Sequence, residues 1–353
     1  MSRLLDQPDG GLTYQQAGVD IDAGDEFVSR IGAAVASTRR PEVLGGLGGF
    51  SGLFALDTAR YQNPVLVASA DGVGTKLEVA RLANRYDTVG RDLVAMLVDD
   101  LACVGAEPLF LLDYLAVGSI QPERMADLVA GIAEGCRLAG CTLLGGETAE
   151  HGGVMKPDDL DVAGFAVGVV ERGKELGSHL VREGDALVGF ASPGLRSNGY
   201  TLARRVLLDG TVDIHGPAWP GANRSLADEL LEPSVIYVGA VQAVRQSLGE
   251  DLHAAAHITG GGITGNVVRF LPDGLEARVD MESFETPEIF FEIQRRGSVN
   301  AAEMVRVFNC GLGMVLALSP ARVEDAISAA TVAGVTAMRV GDVVAGERRA
   351  VVR

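Results

Sequence analysis

Hydrophobic positions along the chain alternate between strand-like runs and helix-like spacing. Apolar runs typical of buried strands occupy residues 64–67, 109–117, 142–144, 161–170, 186–190 and 315–318. Apolar residues three and four apart predict helices at 25–35, 77–82, 88–104, 122–140, 201–208, 226–247 with a break at Pro233, 267–271 and 323–333. Strand-like and helix-like segments therefore alternate along most of the chain.

A polar, glycine-rich stretch at residues 171–177 divides this pattern into two halves. The length of 353 residues suits two domains of ordinary size. We therefore expect one domain over residues 1–172 and a second over residues 173–353. Residues 210–224 show no apolar periodicity, which predicts a surface loop.

Residues 71–76, Asp-Gly-Val-Gly-Thr-Lys, join the strand at 64–67 to the helix at 77–82. Gly72 and Gly74 permit positive φ and a close approach of backbone N–H groups to a ligand. A helix start favours an anion, and Lys76 adds a mobile positive charge suited to phosphate. An ordinary turn with a solvated lysine explains the same residues. The segment is neither a P-loop nor a Rossmann fingerprint.

Acidic side chains recur near this turn. Asp71 would repel a phosphate unless a hard cation such as Mg²⁺ lay between them. The predicted helix at 88–104 carries Asp92 and Asp99 on one face, with Asp100 beside them. Carboxylates near a helix C-terminus oppose the macrodipole, so Asp99 and Asp100 indicate either a bound cation or a solvated acidic pair.

Residues 45–52 contain five glycines in eight positions. Leu47, Phe50 and Leu53 are interleaved with them, and flexible linkers usually lack such apolar anchors. The segment is either a linker or, as we favour, a glycine-rich loop packed near a ligand.

Composition and charge narrow the functional classes. The net charge of −17 argues against non-specific nucleic-acid binding and against an anionic membrane surface. The four cysteines lack Cys-x-x-Cys spacing, which favours reduced, buried thiols over a zinc site. No apolar run has the length of a signal peptide core or a membrane span. We expect a cytoplasmic protein.

Five short segments now stand in a fixed order. They are residues 71–76, residues 99–101, residues 145–150 (Gly-Gly-Glu-Thr-Ala-Glu), residues 259–262 with Asn266, and residues 308–314 (Phe-Asn-Cys-Gly-Leu-Gly-Met). Together with residues 13–14 and 17–20, this set closely resembles the phosphoribosylformylglycinamidine cyclo-ligase family, also called AIR synthetase. The resemblance runs from about residue 13 to the C-terminus, and its specificity lies in the ordered set.

The resemblance implies a two-domain AIR-synthetase-like fold of the α/β (α+β) class. The N-terminal domain would hold a mixed sheet with flanking helices and form a homodimer, and the C-terminal domain would be α/β. The family uses ATP with Mg²⁺ to phosphorylate the amide oxygen of formylglycinamidine ribonucleotide. The neighbouring amidine nitrogen then closes an imidazole ring, releasing ADP and phosphate.

The resemblance also implies site residues. Those for Mg²⁺ are Asp71, Asp100 and Glu147. Those for ATP are Gly48, Gly49, Gly72, Val73, Gly74, Thr75, Lys76 and Glu147. Those for the ribonucleotide are Ser197, Asn198, Gly199, Thr259, Gly260, Gly261, Gly262 and Asn266. Asp71, Lys76, Asp100 and His257 would be catalytic. By residue type His257 suits a general acid or base, and a structural histidine before a glycine turn is the alternative.

This chain departs from the family pattern at three places: Ala70 replaces a threonine, Arg196 a frequent histidine, and residues 151–153 a Met-Pro-Gly. Arg196 can hold phosphate but cannot exchange a proton near neutral pH. Two other functions remain open. One is another ATP-dependent kinase of the same superfamily, for thiamine phosphate or selenide; the other is a non-catalytic nucleotide-binding subunit.

Overall fold

A computed structural model describes residues 11–46 and 48–353 of the chain. Its first half is built on a four-stranded sheet with helices on one face. The strands are β1 (Val43–Leu44), β2 (Leu53–Phe54), β3 (Pro64–Gly72), β4 (Glu107–Val117), β5 (Thr142–Glu150) and β6 (Leu160–Glu171). The helices are α1 (Ile21–Ala36), α2 (Lys76–Ala83), α3 (Val89–Cys103) and α4 (Pro122–Ala139).

The second half is built on a six-stranded sheet. Its strands are β7 (Ala186–Ala191), β8 (Leu252–His257), β9 (Leu275–Val279), β10 (Leu312–Leu318), β11 (Ala337–Ala345) and β12 (Arg349–Val352). Its helices are α5 (Tyr200–Leu207), α6 (Leu226–Leu230), α7 (Val238–Leu248), α8 (Gly262–Val267), α9 (Glu288–Gly297), α10 (Ala301–Val307) and α11 (Val323–Val332). The strand order is β12-β9-β11-β7-β10-β8.

The sheet of the first half is mixed, as predicted. Its order is β3-β6-β4-β5; β4 and β5 run parallel and the other two pairs antiparallel. Residues directly opposite one another across strands share a face. One such row is Asp71, Gly164, Asp113 and Gly146. Helix α3 packs on this face, because a Cβ added to Gly164 would lie 2.6 Å from Leu97 Cδ1.

The opposite face of this sheet is exposed and apolar. Leu66, Phe165 and Tyr114 lie on it with 63%, 43% and 44% of their surface exposed. The registers Ala70–Phe165 and Tyr114–Glu147 place Glu147 on this face as well. In the described chain no helix packs against it.

Helix α3 joins the two halves. Most of its side chains are buried, including the polar Asp92 and Asp99. It packs on β3 and β6 of the first sheet and also against α7 and β8 of the second half. The buried apolar residues of both halves consequently form one continuous core.

Several elements differ from the sequence expectation. Strand β5 does not end at Leu144 but continues through Gly145 and Gly146 to Glu150, because β4 pairs with it over its whole length. Helix α8 begins at Gly262 and not at Val267. The break expected at Pro233 within 226–247 is present but is wider than one residue, because residues 231–237 separate α6 from α7. The chain also contains β8, β9, α9 and α10, which the apolar pattern did not indicate.

Candidate active site

Most of the predicted site residues lie where the two halves of the chain meet, a region that we call the cleft. Strand β3 ends at Gly72, and residues 73–75 turn into α2. Gly74 has φ +66° and faces open space, so its backbone is accessible to a ligand. Gly72 is different: it does not have positive φ, and a Cβ there would lie 2.9 Å from the Val162 carbonyl oxygen.

Two loops of the second half border the same cleft. Thr75 Oγ1 lies 3.2 Å from Thr201 Oγ1, which joins the turn after β3 to the start of α5. A Cβ at Gly260 would lie 3.8 Å from Asn198 Nδ2, so the loops at 197–199 and 259–262 are adjacent. Ser197 Oγ and Asn198 Oδ1 are buried and have no hydrogen-bond partner within the described chain. Unpaired buried polar atoms of this kind are suited to a ligand or water.

Asp71 and Asp100 come together at the edge of β3. The Asp100 side chain is 42% exposed, and Ser69 Oγ lies 3.5 Å from its Oδ2. Partial burial raises the pKa of Asp71, and the neighbouring Asp100 charge adds to the effect, whereas the Gly72 N–H and His257 oppose it. Two accessible carboxylates that repel one another are an oxygen donor set that fits Mg²⁺.

His257 lies behind Asp100 at the end of β8 and is buried. Its Nδ1 is 2.9 Å from Asp100 Oδ1, and its Nε2 is 2.9 Å from Arg196 Nη2. A guanidinium has only donors, so Nε2 must accept and the ring proton is on Nδ1, from which it is donated to Asp100. Both ring nitrogens are thus occupied by protein. This geometry favours the structural alternative for His257 over general acid–base catalysis.

Arg196 neutralises Asp99 inside the interface between the halves. Its Nη2 donates to Asp99 Oδ2 at 2.8 Å, its Nη1 donates to the Val235 carbonyl, and its guanidinium lies 4.7 Å from the centroid of the Tyr237 ring. Asp99 Oδ1 accepts from the backbone N–H groups of Tyr237 and Val238. Asp99 therefore has protein partners, and only Asp100 of the acidic pair is free to meet a cation.

Lys76 is the clearest correction. Its side chain is 0% exposed and forms an ion pair of 2.6 Å with the equally buried Asp92. Its Nζ also donates to the carbonyl oxygens of Arg196 and Glu232. Burial lowers the pKa of Lys76, and Asp92 opposes that shift. All three ammonium donors are satisfied, so Lys76 is not the mobile phosphate-binding charge that the sequence suggested.

Glu147 is not brought to Asp71 and Asp100. It lies three strands from β3, which is roughly 14 Å at the usual strand spacing, and on the other face of the sheet. Within residues 11–46 and 48–353, no three His, Cys, Asp or Glu side chains are placed to hold a metal ion. The predicted Mg²⁺ triad is therefore reduced to two carboxylates in one chain.

Some predicted ribonucleotide-binding residues instead shape their loops. Asn266 is buried, and its Nδ2 donates to the carbonyl oxygens of Thr259, Gly260 and Gly262. A Cβ at Gly199 would lie 2.3 Å from the Phe308 ring. These residues hold the loop backbones, whereas Ser197, Asn198, Gly260 and Gly261 remain available to a ligand.

A cavity lies outside the cleft, at the β5 edge of the first sheet. It encloses about 970 Å³ between α1, β4, β5 and the loop residues 46 and 48–52, and we call it the loop pocket. Gly48, Gly49 and Glu147 line it, as does Asp113, which the sequence analysis missed. Burial raises the pKa of Asp113 to about 7. A lone carboxyl between Leu112 and Tyr114 in a strand gave no signal in the sequence.

Models of two protein domains match the chain. Residues 56–170 match the N-terminal domain of AIR synthase related proteins, and residues 182–353 match the C-terminal domain. The chain belongs to this family. The gap between the two matches contains the 171–177 stretch at which we divided the sequence.

Relatives in the AIR synthase family are similar over almost the whole chain. A phosphoribosylformylglycinamidine cyclo-ligase of Myxococcus xanthus is 52% identical over 340 residues, which is 96% of this chain and 98% of the relative. The protein of that name from Geotalea daltonii is 49% identical over 332 residues, 94% of this chain and 95% of the relative.

Solved structures with the AIR synthase fold are more distant in sequence. A thiamine-monophosphate kinase from Stenotrophomonas maltophilia has a TM-score of 0.65 at 19% identity and covers 93% of this chain and 95% of its own. The hydrogenase maturation protein HypE in complex with ATP has a TM-score of 0.64 at 16% identity, covering 99% of this chain and 93% of its own. These likenesses show the fold alone.

Proposed function

We propose that this chain is an ATP-dependent cyclo-ligase that converts formylglycinamidine ribonucleotide to aminoimidazole ribonucleotide in purine biosynthesis. The support comes from two observations taken together. The chain is similar to cyclo-ligases over almost its whole length, and the turn after β3, the carboxylates of Asp71 and Asp100 and two loops of the second half meet at the cleft. The γ-phosphoryl group of ATP moves to the amide oxygen of the substrate, breaking its bond to ADP. An amidine nitrogen then attacks that carbon, loses a proton and expels phosphate.

In this proposal the first half of the chain binds the triphosphate. The backbone of Gly74 and Thr75 contacts the phosphates, and Asp71 and Asp100 hold Mg²⁺. The ion would neutralise the charge that builds up as the phosphoryl group moves. His257 acts through Asp100: by donating from Nδ1, it fixes the orientation of that carboxylate.

The second half would hold the ribonucleotide. Ser197 and Asn198 offer buried, unpaired oxygens, and the backbone of Gly260 and Gly261 is exposed beside them. Both loops border the turn after β3, so substrate and phosphate donor would lie side by side. Such proximity is what a transfer between two bound molecules requires.

The test is ADP release with and without formylglycinamidine ribonucleotide, using purified protein and Mg²⁺. We expect ADP only in its presence, together with a product bearing a free aromatic amine. Thiamine monophosphate is the control substrate, because one structural neighbour is a kinase for it. ADP release that depends on thiamine monophosphate, or no substrate-dependent release at all, would contradict the proposal.

We also propose that the protein is a homodimer through the apolar sheet face of Leu66, Phe165 and Tyr114. Exposed apolar side chains in a contiguous patch mark an interaction surface, and α3 covers only the other face. Since Glu147 shares this face, a second copy would meet it there.

A role in purine synthesis fits a location in the cytoplasm. Among the described residues, no helix combines the length and the apolar character that a membrane span requires.

The dimer is tested by light scattering on Leu66→Glu. A buried charge at the interface should convert dimer to monomer. Val332→Glu is the matched control, since Val332 is an apolar residue on α11 in the other half that is exposed even more than Leu66. A monomeric native protein, or a Leu66→Glu variant that remains dimeric, would rule out this face.

A further inference from the structure

Residues 308–314 belong to the ordered set of sequence segments, yet all of them are buried and none has a role in the proposed function. They lie where β10 begins to pair with β7, at Leu312. The loop at residues 192–199 leaves the same end of β7, and the Ser192 N–H donates to the Gly311 carbonyl. The buried segment therefore lies directly against one of the two loops that border the cleft.

Asn309 connects this segment to the loop through both ends of its amide. Its Nδ2 donates to the Gly194 carbonyl at 2.9 Å, and its Oδ1 accepts from the Gly311 N–H at 2.8 Å. Ser192 Oγ donates to the same Gly194 oxygen at 2.9 Å. An amide can donate to one backbone group and accept from another, whereas a carboxylate can only accept. The position therefore requires both functions of the amide.

The turn that carries Asn309 is itself fixed. Cys310 has φ +49°, a left-handed conformation that a residue other than glycine keeps only where its surroundings hold it. Gly311 follows with φ +109°, and a Cβ there would lie 2.6 Å from the Glu285 carbonyl oxygen. The turn is thus a rigid support for the loop.

The far end of the loop rests on Phe308. This side chain is buried, and a Cβ at Gly199 would lie 2.3 Å from its ring. Between the two anchor points, Arg196 has φ +63°, and Ser197 Oγ and Asn198 Oδ1 are the buried oxygens without a partner in the described chain. The buried segment thus holds both ends of the stretch that presents these oxygens.

We propose that Asn309 is a positioning residue for the ribonucleotide. By holding the Gly194 carbonyl, it keeps the loop at residues 192–199 in the conformation in which Ser197 and Asn198 meet the ligand. A loop that is already ordered avoids the entropy cost of ordering on binding. The inference deepens the proposed function and rests on it for the identity of the ligand.

The side of the loop that faces the Mg²⁺ carboxylates is held by other contacts. The Arg196 carbonyl accepts from Lys76, and the Arg196 guanidinium pairs with Asp99. Neither contact involves Asn309. Loss of the Asn309 contact should therefore weaken binding of the ribonucleotide and leave binding of ATP with Mg²⁺ unchanged.

Asn309→Asp tests this, because the carboxylate keeps the size of the amide and the acceptor for Gly311 but faces the Gly194 carbonyl without a donor. We expect KM for formylglycinamidine ribonucleotide to rise about tenfold or more, with KM for ATP changed less than about twofold and kcat less than about threefold. Ser192→Ala removes the second donor to Gly194 and should raise the same KM by a smaller factor.

Hydrogen exchange measures the loop without any ligand. In Asn309→Asp, peptides that cover residues 193–199 should exchange about tenfold faster than in the native protein. The matched control is Asp185→Ala, which removes a buried partner of His253 at the opposite end of β7. It should lower the thermal unfolding temperature and leave both the ribonucleotide KM and the exchange of the loop unchanged.

Three results would overturn the inference: native loop exchange in Asn309→Asp, an equal rise of both KM values in that variant, or a rise of the ribonucleotide KM in Asp185→Ala as large as in Asn309→Asp. The proposed function fails separately, if the native protein releases no ADP in response to formylglycinamidine ribonucleotide. The exchange measurement then still decides whether Asn309 holds the loop.

Discussion

Arg196 determines which nitrogen of His257 carries the proton. Because the guanidinium occupies Nε2, the ring can only donate to Asp100 through Nδ1. The family position often holds a histidine, which could exchange a proton; here the same position supplies a fixed charge. The residue thus changes from a candidate in proton transfer to one that orients, through His257, the Asp100 carboxylate that we propose holds Mg²⁺.

Removing the charge of Arg196 should change the hydrogen bonding of the His257 ring without leaving a cavity in the interface between the halves. In Arg196→Met combined with Asp99→Asn, which avoids a lone buried carboxylate, we expect the ¹⁵N resonance of His257 Nε2 to shift, because that nitrogen loses its donor while Nδ1–H stays bonded to the Asp100 carboxylate. ¹H–¹⁵N correlation spectra of the imidazoles measure this directly. We also expect the Mg²⁺ concentration for half-maximal activity to rise about tenfold or more, the usual effect of losing such an outer contact.

The control for that experiment is Arg306→Met, an exposed arginine on α10. It should leave both the imidazole spectra and the Mg²⁺ requirement unchanged. If the Nε2 resonance does not move in the double variant, Arg196 does not donate to that nitrogen.

Asp113 should make stability depend on pH. Its pKa is raised to about 7 in the fold from an ordinary 3.8, so the folded state keeps the proton where the unfolded chain has lost it. Stability from this group therefore falls as pH rises from about 4 to about 7 and stays low above that. Asp113→Asn should be more stable than the native protein at pH 8, on the order of 1–2 kcal/mol, and no more stable at pH 4. Urea denaturation at the two pH values checks the difference; a constant difference would contradict it.

At the scale of residues, the sequence revealed side chains that are unusual in their local context. It did not reveal the partners that distant parts of the chain bring to them. Asp71 and Asp100 were found because acids beside a glycine turn and at a helix C-terminus are unusual by themselves. Asp99 looked as well suited to a cation as Asp100, yet its partner Arg196 is 97 residues away along the chain. No local pattern carries that information.

At the scale of elements, strand β5 shows why a glycine pair need not mark a loop. Gly145 and Gly146 were expected to end the strand, since glycine is depleted in strands. Pairing with β4 in parallel carries the strand through them, and the carboxyl of Asp113 explains the second glycine. The helix periods of α1 and α4 were predictable because each packs one apolar stripe against the rest of the fold. The short α9 and α10 bury too few positions to show a period.

The two glycines should respond differently to substitution. Gly146→Ala places a Cβ 1.5 Å from Asp113 Oδ1 and should cost about 1–3 kcal/mol of folding stability and displace that carboxyl. Gly145→Ala is the matched control, because its nearest atom, Leu112 Cδ2, would be at an ordinary 3.7 Å. We expect it to change stability by less than about 1 kcal/mol. Thermal unfolding of both variants tests the pair, and equal losses would argue against this packing.

At the scale of the whole molecule, the buried ion pair of Lys76 and Asp92 links the two halves of the chain. The ammonium also donates to two carbonyl oxygens of the second half, and Asp92 accepts from Ser234. Lys76→Met should therefore cost about 3–5 kcal/mol, because it leaves a carboxylate buried without its counter-charge. Adding Asp92→Asn should recover most of the loss, as urea denaturation would show.

An exposed ion pair provides the comparison. Arg30 and Glu26 on α1 are paired at 2.6 Å but are about half exposed, so Arg30→Met should cost less than about 1 kcal/mol. A loss in Lys76→Met no larger than this would mean that the buried pair contributes little to joining the halves.

Helix α3 belongs to the first half by chain order but completes the second by its contacts. A gene divided at the exposed Gly173–Lys174 turn would encode two fragments, one carrying the acids of α3 and the other Arg196 and Ser234 that match them. Neither fragment alone could cover the apolar surface around this helix. Oppositely charged residues that pair inside the shared core would make the two fragments bind selectively to each other. The divided chain could therefore report when two proteins, one fused to each fragment, associate.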